Sequence, residues 1–412
     1  MASTQQDFLP VLLGADLNCY SMARAFHEAY GVKTQAFGKQ VLGFTAHSRI
    51  VNFTAEPHLD DHALCIRLLR DFAARHAGIP LVLMGCTDEY AAFLIEHRDE
   101  LSDLYLLPYM DAHLMEGLVD KADFYESCEK FGIPYPKTAV FSAPMEADAY
   151  SEEALGFSYP LIVKPSSSIE YWRHPFKGMK KVYVSHSAEE SAAIISEIYG
   201  AGYDRRIIVQ DMIPGGDDHM RVLTAYSDKD KHVKMMCMGH VLLEEHTPKG
   251  LGNHAAIITE KLPDVAEKLR AMLESLGVRG FTNFDLKMDD RDGTYKVFEI
   301  NLRQGRSNHY LTASDINPAR LVAEDYVYAQ TLPEIMEARE VFWHSIPKKI
   351  VYRYVEDESL ALRAKALDKK GLSRTPLLYA YDLRVSPRRL FFVLMHLHRQ
   401  HKKYETYCKR YR

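Results

Sequence analysis

Short apolar runs alternate with longer amphipathic stretches through about residue 115. Val11-Leu-Leu-Gly leads into Ala15-Asp-Leu-Asn-Cys-Tyr, and the pattern then predicts a helix over 21–30 closed by Gly31. A strand is expected over 33–37, another at Pro80-Leu-Val-Leu-Met-Gly, and a helix over 88–97. This β-α-β rhythm implies a parallel α/β sheet. The turn at Gly14 has no G-x-G-x-x-G, so a Rossmann-like fold without a dinucleotide is expected. From about residue 120 the texture changes. A helix over 120–131 is stopped by Gly132-Ile-Pro-Tyr-Pro, and strand Leu161-Ile-Val-Lys, a helix over 188–199 and strand Arg206-Ile-Ile-Val-Gln follow. A helix over 264–276 precedes strands at 281–288 and 295–302, joined by Asp289-Asp-Arg-Asp-Gly-Thr, whose Asp-Gly is a strong turn signal. Beyond about 330 the pattern is helical and charged.

Composition narrows the picture in three ways. At 412 residues, 47% hydrophobic and 26% charged, the chain is too long for one core and too apolar for bulk disorder. No stretch approaches the ~18 apolar residues that cross a bilayer, and residues 1–10 lack the basic, apolar pattern of a secretory signal. Cytoplasmic residence is the expectation. The six scattered cysteines contain no C-x-x-C and read as reduced, buried thiols. The net charge of −5 argues against nucleic acid as a partner, but it conceals an asymmetry. Residues 384–412 hold nine Lys or Arg against one Glu, a net of +8, which leaves −13 on residues 1–383.

Candidate chemistry begins with the hairpin. A turn near Asp292 puts Asp285 across from Glu299, and alternation puts Asn301 on the Glu299 face. Like charges facing each other destabilise a sheet, and a divalent cation between them resolves the conflict; two carboxylates and an amide oxygen suit Mg²⁺. The alternative is a half-exposed hairpin with a solvated polar face. Lys164 ends an apolar strand, and Lys180 and Lys181 follow the loop containing Gly178; each can meet a phosphate as a point charge or simply terminate a strand at the surface. In Ile208-Val-Gln-Asp-Met-Ile-Pro-Gly-Gly-Asp-Asp a strand becomes a turn after Gln210, with edge amides suited to an adenine and a carboxylate suited to ribose.

The order of these pieces, from Lys121 through Lys164, the 210–217 linker, Asp285 and Glu299-x-Asn301, resembles the ATP-grasp superfamily over about 115–320. The opening Val11-Leu-Leu-Gly-Ala-Asp-Leu-Asn-Cys-Tyr, the segment Glu170-Tyr-Trp-Arg-His-Pro-Phe and Glu299-Ile-Asn-Leu-Arg-Gln-Gly-Arg-Ser-Asn-His-Tyr resemble the D-aspartate ligase group of carboxylate–amine ligases. The resemblance implies a Rossmann-like preATP-grasp α/β domain (1–115), a two-subdomain α+β ATP-grasp domain (116–330, divided near 212/213) and a helical basic C-terminal extension (331–412). It implies ATP contacts from Lys121, Lys164, Gln210, Asp211, Ile213 and Asp217. Two Mg²⁺ would be ligated by Asp285, Glu299 and Asn301, and Arg303, Lys164 and Lys181 would offset phosphoryl charge. Residues 166–178 replace the family's glycine-rich lid, and Asp285 and Asp217 stand where many members have Glu.

The implied reaction joins a carboxylate to an amine through an acyl phosphate, with D-aspartate and a nucleotide- or lipid-linked peptidoglycan precursor as the pair the resemblance suggests. A ligase making free dipeptides and a catalytically dead nucleotide-binding scaffold remain alternatives. Lys249, His254, Arg306, Ser307 and His309 are the candidate substrate contacts. The cluster His58, Asp60, Asp61, His62 reads as a solvated helix start rather than a metal site. The basic C-terminus is expected to form a helix from Ser386-Pro387, with Leu390, Phe391, Leu394, Leu397, Tyr404, Tyr407 and Tyr411 on one stripe. Such a helix either docks on the acidic body or binds an anionic partner, a nucleotide-linked wall precursor or, as a peripheral membrane contact, the inner membrane face.

Overall fold

Three β-sheets organise the chain, and the computed structural model describes residues 7–248, 250–384 and 386–408. The first sheet holds β1 (Leu9–Leu13), β2 (Thr34–Gly38), β3 (Val51–Ala55) and β4 (Leu81–Gly85), all parallel, in the order β3-β2-β1-β4. Strands β1 and β4 are buried along their length, which is why they read as unbroken apolar runs. At the end of β1, Gly14 has φ +144°, and a Cβ there would lie 2.8 Å from the Cys86 Cβ. Asp16 then caps the helix Leu17–Tyr30 by accepting from the Cys19 amide, so the helix starts four residues earlier than its apolar pattern suggests.

The second sheet, antiparallel, is ordered β5-β8-β6-β7 from β5 (Thr138–Phe141), β6 (Leu161–Pro165), β7 (Tyr183–Ser185) and β8 (Ile207–Asp211). Its own apolar cluster includes Leu161, Val163, Ile195, Ile198 and Val209. The third and largest sheet contains β9 (Met220–Ser227), β10 (Val233–Glu244), β11 (His254–Glu260), β12 (Gly280–Asp289), β13 (Thr294–Asn301), β14 (Phe342–His344) and β15 (Ser373–Arg374). Their order is β13-β12-β9-β10-β11-β14-β15. One apolar cluster runs from Val11 and Leu83 of the first sheet through Tyr125 to Phe284 and Ile300 of the third, so the two share a core.

The C-terminal segment is helical as expected, with helices Lys348–Tyr354, Glu358–Lys369 and Pro387–Tyr407, and it also supplies β14 and β15. Strands of three and two residues are too short to show an alternation, so only their burial marks Phe342 and Trp343 as sheet residues. The last helix docks on the body through Arg389, Val393, Gln400 and Tyr404. Arg389 is fully buried, ion-paired with the equally buried Asp382, 4.1 Å over the Tyr20 ring, and donates to the Phe44 carbonyl at 2.8 Å. The Tyr404 hydroxyl donates to the Glu244 carbonyl at 2.7 Å. Only part of the apolar stripe read from sequence is docked: Tyr404 is buried and Leu397 packs against the body, whereas Phe391 is 67% and Leu394 53% exposed, and Tyr411 lies outside the described residues. All six cysteines are buried free thiols. Among the described residues, no helix is long and apolar enough to cross a membrane.

Candidate active site

Strands β12 and β13 pair so that Asp285 stands directly opposite Glu299, with a register shift just past Asp285. Both side chains, with Asn301, line a cleft of about 450 Å³. Helix Lys121–Lys130, capped by Asp120, presents Lys121 to the same space; its Nζ lies 3.3 Å from Glu299 Oε1 and 3.3 Å from the Ser168 hydroxyl. Lys181, Arg303, Arg306, Ser307 and His254 also line the cleft.

The electrostatics follow from packing three cations around two half-buried acids. Burial works against the Glu299 carboxylate, but Lys121, Lys181 and Lys164 outweigh it and hold its carboxyl below the usual range. Asp285 goes the other way: burial and the facing Glu299 push it up, so it is the more readily protonated member of the pair. Lys181 is held protonated chiefly by Glu299, then by Asp285 and Asp88 against burial. A cation seated between the two carboxylates removes the conflict that pushes Asp285 up, and the all-oxygen donor set of Asp285, Glu299 and Asn301 fits Mg²⁺.

Lys164 and Gln210 do not line this cleft. Lys164 is buried, donates to the Tyr125 hydroxyl at 3.1 Å and to Gln210 Oε1 at 3.0 Å, and stands over the Tyr125 and Phe298 rings. Burial lowers its pKa to about 8. Gln210 in turn donates to the Thr138 hydroxyl at 2.7 Å, which fixes its amide in place. Asp211 takes a two-pronged contact from Arg291 at 3.1 and 2.6 Å, and the Ile213 carbonyl accepts from Lys287 at 2.9 Å, so the linker is tied to the β12–β13 hairpin. Asp217 is buried, with its Oδ2 accepting from the Glu244 amide at 2.9 Å and 2.8 Å from His246 Nε2. His309 is also not in the cleft; it is fully buried, and burial together with Arg24 and Arg374 holds its ring neutral. Lys249 lies outside the described residues.

No family model matches the chain. Over 385 residues it is 40% identical to the D-aspartate ligase of Enterococcus faecium (strain Aus0004), a span covering 92% of this chain and 91% of that one. The chain belongs to the D-aspartate ligase family. Its fold matches an N5-carboxyaminoimidazole synthetase from Staphylococcus aureus complexed with ADP (TM-score 0.60, 15% identity, 87% of each chain covered). It also matches an L-amino acid ligase from Bacillus licheniformis (TM-score 0.54, 16% identity, 78% of this chain and 75% of that one). The architecture is that of ATP-grasp enzymes, and this D-aspartate ligase family member is an ATP-dependent carboxylate–amine ligase.

Reading the sequence missed the wall that the first sheet contributes to this family member's cleft. Thr87, Asp88 and Glu89 line it at the start of helix Asp88–Glu96. Asp88 grips Arg303 with both oxygens, Nε–Oδ1 at 2.7 Å and Nη2–Oδ2 at 2.9 Å, although 215 positions separate them. The available signal was their position just past β4, since open α/β sheets bind ligands beyond the carboxyl ends of their strands. Asn253, Asn283, Ser168 and Trp172 also line it. Gly305 is required beside them, because a Cβ there would lie 2.7 Å from Asn283 Oδ1.

Proposed function

We propose that this ligase activates the β-carboxylate of D-aspartate with ATP and transfers it to an amine of a peptidoglycan precursor. The observation that carries the reading is the 40% identity to a D-aspartate ligase over nearly the whole of both chains. In this reading residues 1–115 form the flanking unit, 116–330 the two halves that clamp ATP, and 331–412 the extension. Gln210 and the Asp211–Ile213 backbone hold the adenine, Asp217 reads the ribose side, and Lys164 and Lys121 meet the phosphates. Asp285, Glu299 and Asn301 would hold Mg²⁺, which would supply Lewis-acid neutralisation of the phosphoryl oxygens.

A carboxylate oxygen of the amino acid attacks the γ-phosphorus, the bond to the bridging oxygen breaks, and ADP leaves with that electron pair. The acceptor nitrogen then attacks the acyl carbon, loses its proton, and expels phosphate to form the amide. Lys181 and Arg303 offset the charge on the moving phosphoryl group by position alone, without a covalent enzyme intermediate. The acyl phosphate must be kept from water, a role this reading gives to the 166–178 segment, whose Ser168 and Trp172 line the cleft. His254, Arg306 and Ser307 face the amino-acid or acceptor side. A cytoplasmic location suits a precursor carried on a nucleotide or on a lipid of the inner membrane face.

The test is ATP-dependent phosphate release screened over D- and L-amino acids, with and without muropeptide acceptors. The reading requires D-aspartate and a muropeptide together to give the fastest release and a new amide. Release with free amino acids alone would make the chain a dipeptide ligase instead, and no release with any pair would make it a nucleotide-binding scaffold.

A further inference from the structure

Away from the cleft, two helices of the N-terminal unit bring together side chains that the ligase reaction does not use. His62 is the first residue of helix His62–Arg75, and Glu96 and His97 close helix Asp88–Glu96. One ligand atom from each of the three lies within 4.8 Å of the others. His62 Nδ1 and His97 Nε2 are 2.9 Å apart. The other ring nitrogen of His97, Nδ1, is 2.7 Å from Glu100 Oε1. A carboxylate there selects the tautomer with hydrogen on Nδ1 and turns the Nε2 lone pair toward His62, the arrangement that supports histidine as a metal ligand. Both rings pack on Phe93, at centroid distances of 5.0 and 4.9 Å, which limits their rotation.

We propose that His62, Glu96 and His97 form a second cation site, selective for a borderline divalent transition metal such as Zn²⁺ and distinct from the all-oxygen set in the cleft. Two imidazoles and one carboxylate with a position left for water is a donor set that zinc takes and magnesium does not. The two nitrogens already stand near the spacing an ion needs: at ~2.05 Å from a tetrahedral ion they are about 3.3 Å apart, against 2.9 Å here, and the exposed Glu96 side chain, within 4.8 Å of both, swings in as the third ligand. The proton shared between them is displaced when the ion binds. The site clips together two helices, one of which begins at Asp88 on the cleft wall, about 12 Å away at 1.5 Å per residue. An ion there therefore braces the element that grips Arg303. The sequence reading set the neighbouring cluster His58, Asp60, Asp61, His62 aside as solvated; the structure pairs His62 with partners about 35 positions away, which no local spacing reveals.

The experiment is zinc titration of the chelator-treated full-length protein against a chromogenic competitor, without nucleotide, with cobalt substitution as an optical check. The wild type should show one zinc site that excess Mg²⁺ does not displace, a rise in melting temperature with zinc, and cobalt absorption bands of a low-coordinate N/O site. His62→Ala and His97→Ala should lose all three while keeping ligase activity in zinc-free buffer. Glu100→Gln should weaken zinc by ~10- to 100-fold, the scale of a lost outer-shell partner. His58→Ala should bind as the wild type does. Equal zinc stoichiometry and affinity in the wild type and the His62→Ala/His97→Ala double variant would overturn the proposal.

Discussion

Replacing Asp382 by Ala should release the C-terminal helix without unfolding the rest. Asp382 and Arg389 are both completely buried, and the carboxylate also accepts from the Tyr20 hydroxyl at 2.9 Å, the Ser48 hydroxyl at 2.9 Å and the Arg49 amide at 2.6 Å. Removing it leaves a guanidinium in the interior with no counter-charge, and three donors without their acceptor. Breaking one side of a buried pair costs about 3–5 kcal/mol. At 1.4 kcal/mol per factor of ten, local opening of the helix becomes roughly 150- to 4,000-fold more frequent. Hydrogen exchange of the amides over Pro387–Tyr407 reads this directly, with the β1 and β4 amides as an internal reference that should not change. Tryptic cleavage after Arg399 and Lys402 should accelerate in parallel. The double variant Asp382→Leu/Arg389→Met should bring protection back to within about 2 kcal/mol of wild type, since an apolar pair of similar volume often replaces a buried ion pair without loss. If Asp382→Ala raises exchange by less than about fivefold, roughly 1 kcal/mol, the helix is not held by this pair and the reasoning fails.

Three further outcomes test the cleft. Glu299→Ala should reduce amide formation by ~10²-fold or more, the scale of removing one electrostatic partner from a reacting centre; unchanged turnover would mean that the β12–β13 carboxylates hold no cation. Lys164 is charged below about 8 and neutral above it, so kcat/KM for ATP should fall as pH rises through that value. Lys164→Met should lower kcat/KM throughout and erase the break, and a break that survives in the variant would assign it to another group. Of the two tryptophans, Trp343 is buried and Trp172 is 54% exposed on the cleft. ATP binding should therefore change the emission of Trp172 alone, and a signal that persists in Trp172→Phe would remove the 166–178 segment from lid duty.

Local pattern was enough wherever the physics is local. The Asp-Gly turn and the alternation around it foretold a hairpin that brings Asp285 near Glu299, but the register set by the turn pairs Leu286 with Val297 and would put Asp285 against Phe298; the shift just past Asp285, which no turn signal announces, sets it opposite Glu299. The parallel first sheet was visible through β1 and β4, which are buried along their length and carry apolar runs; β3, largely exposed, showed no such pattern. Contacts between distant positions left no such trace. Asp88 and Arg303 meet only because the first and third sheets share a core. Arg389 looked like one of many basic tail residues, yet it is the buried anchor, since nothing in a single sequence distinguishes a paired interior guanidinium from a solvated one. Strands β14 and β15 escaped for a different reason: two or three residues cannot express a period.

Those two strands also impose an order of events on the ribosome. β11 begins with His254, pairs with β10 on one side, and finds its other neighbour only when β14 emerges about 80 residues later. At ~5–20 residues per second, that leaves the strand edge unpaired for roughly 4–16 s of synthesis, exposed to annealing with any other extended chain nearby. Residues past 341 are thus as much a part of building the third sheet as the strands that carry Asp285 and Glu299. A transcript cut short before them yields a protein with both halves of the cleft encoded and its central sheet left open.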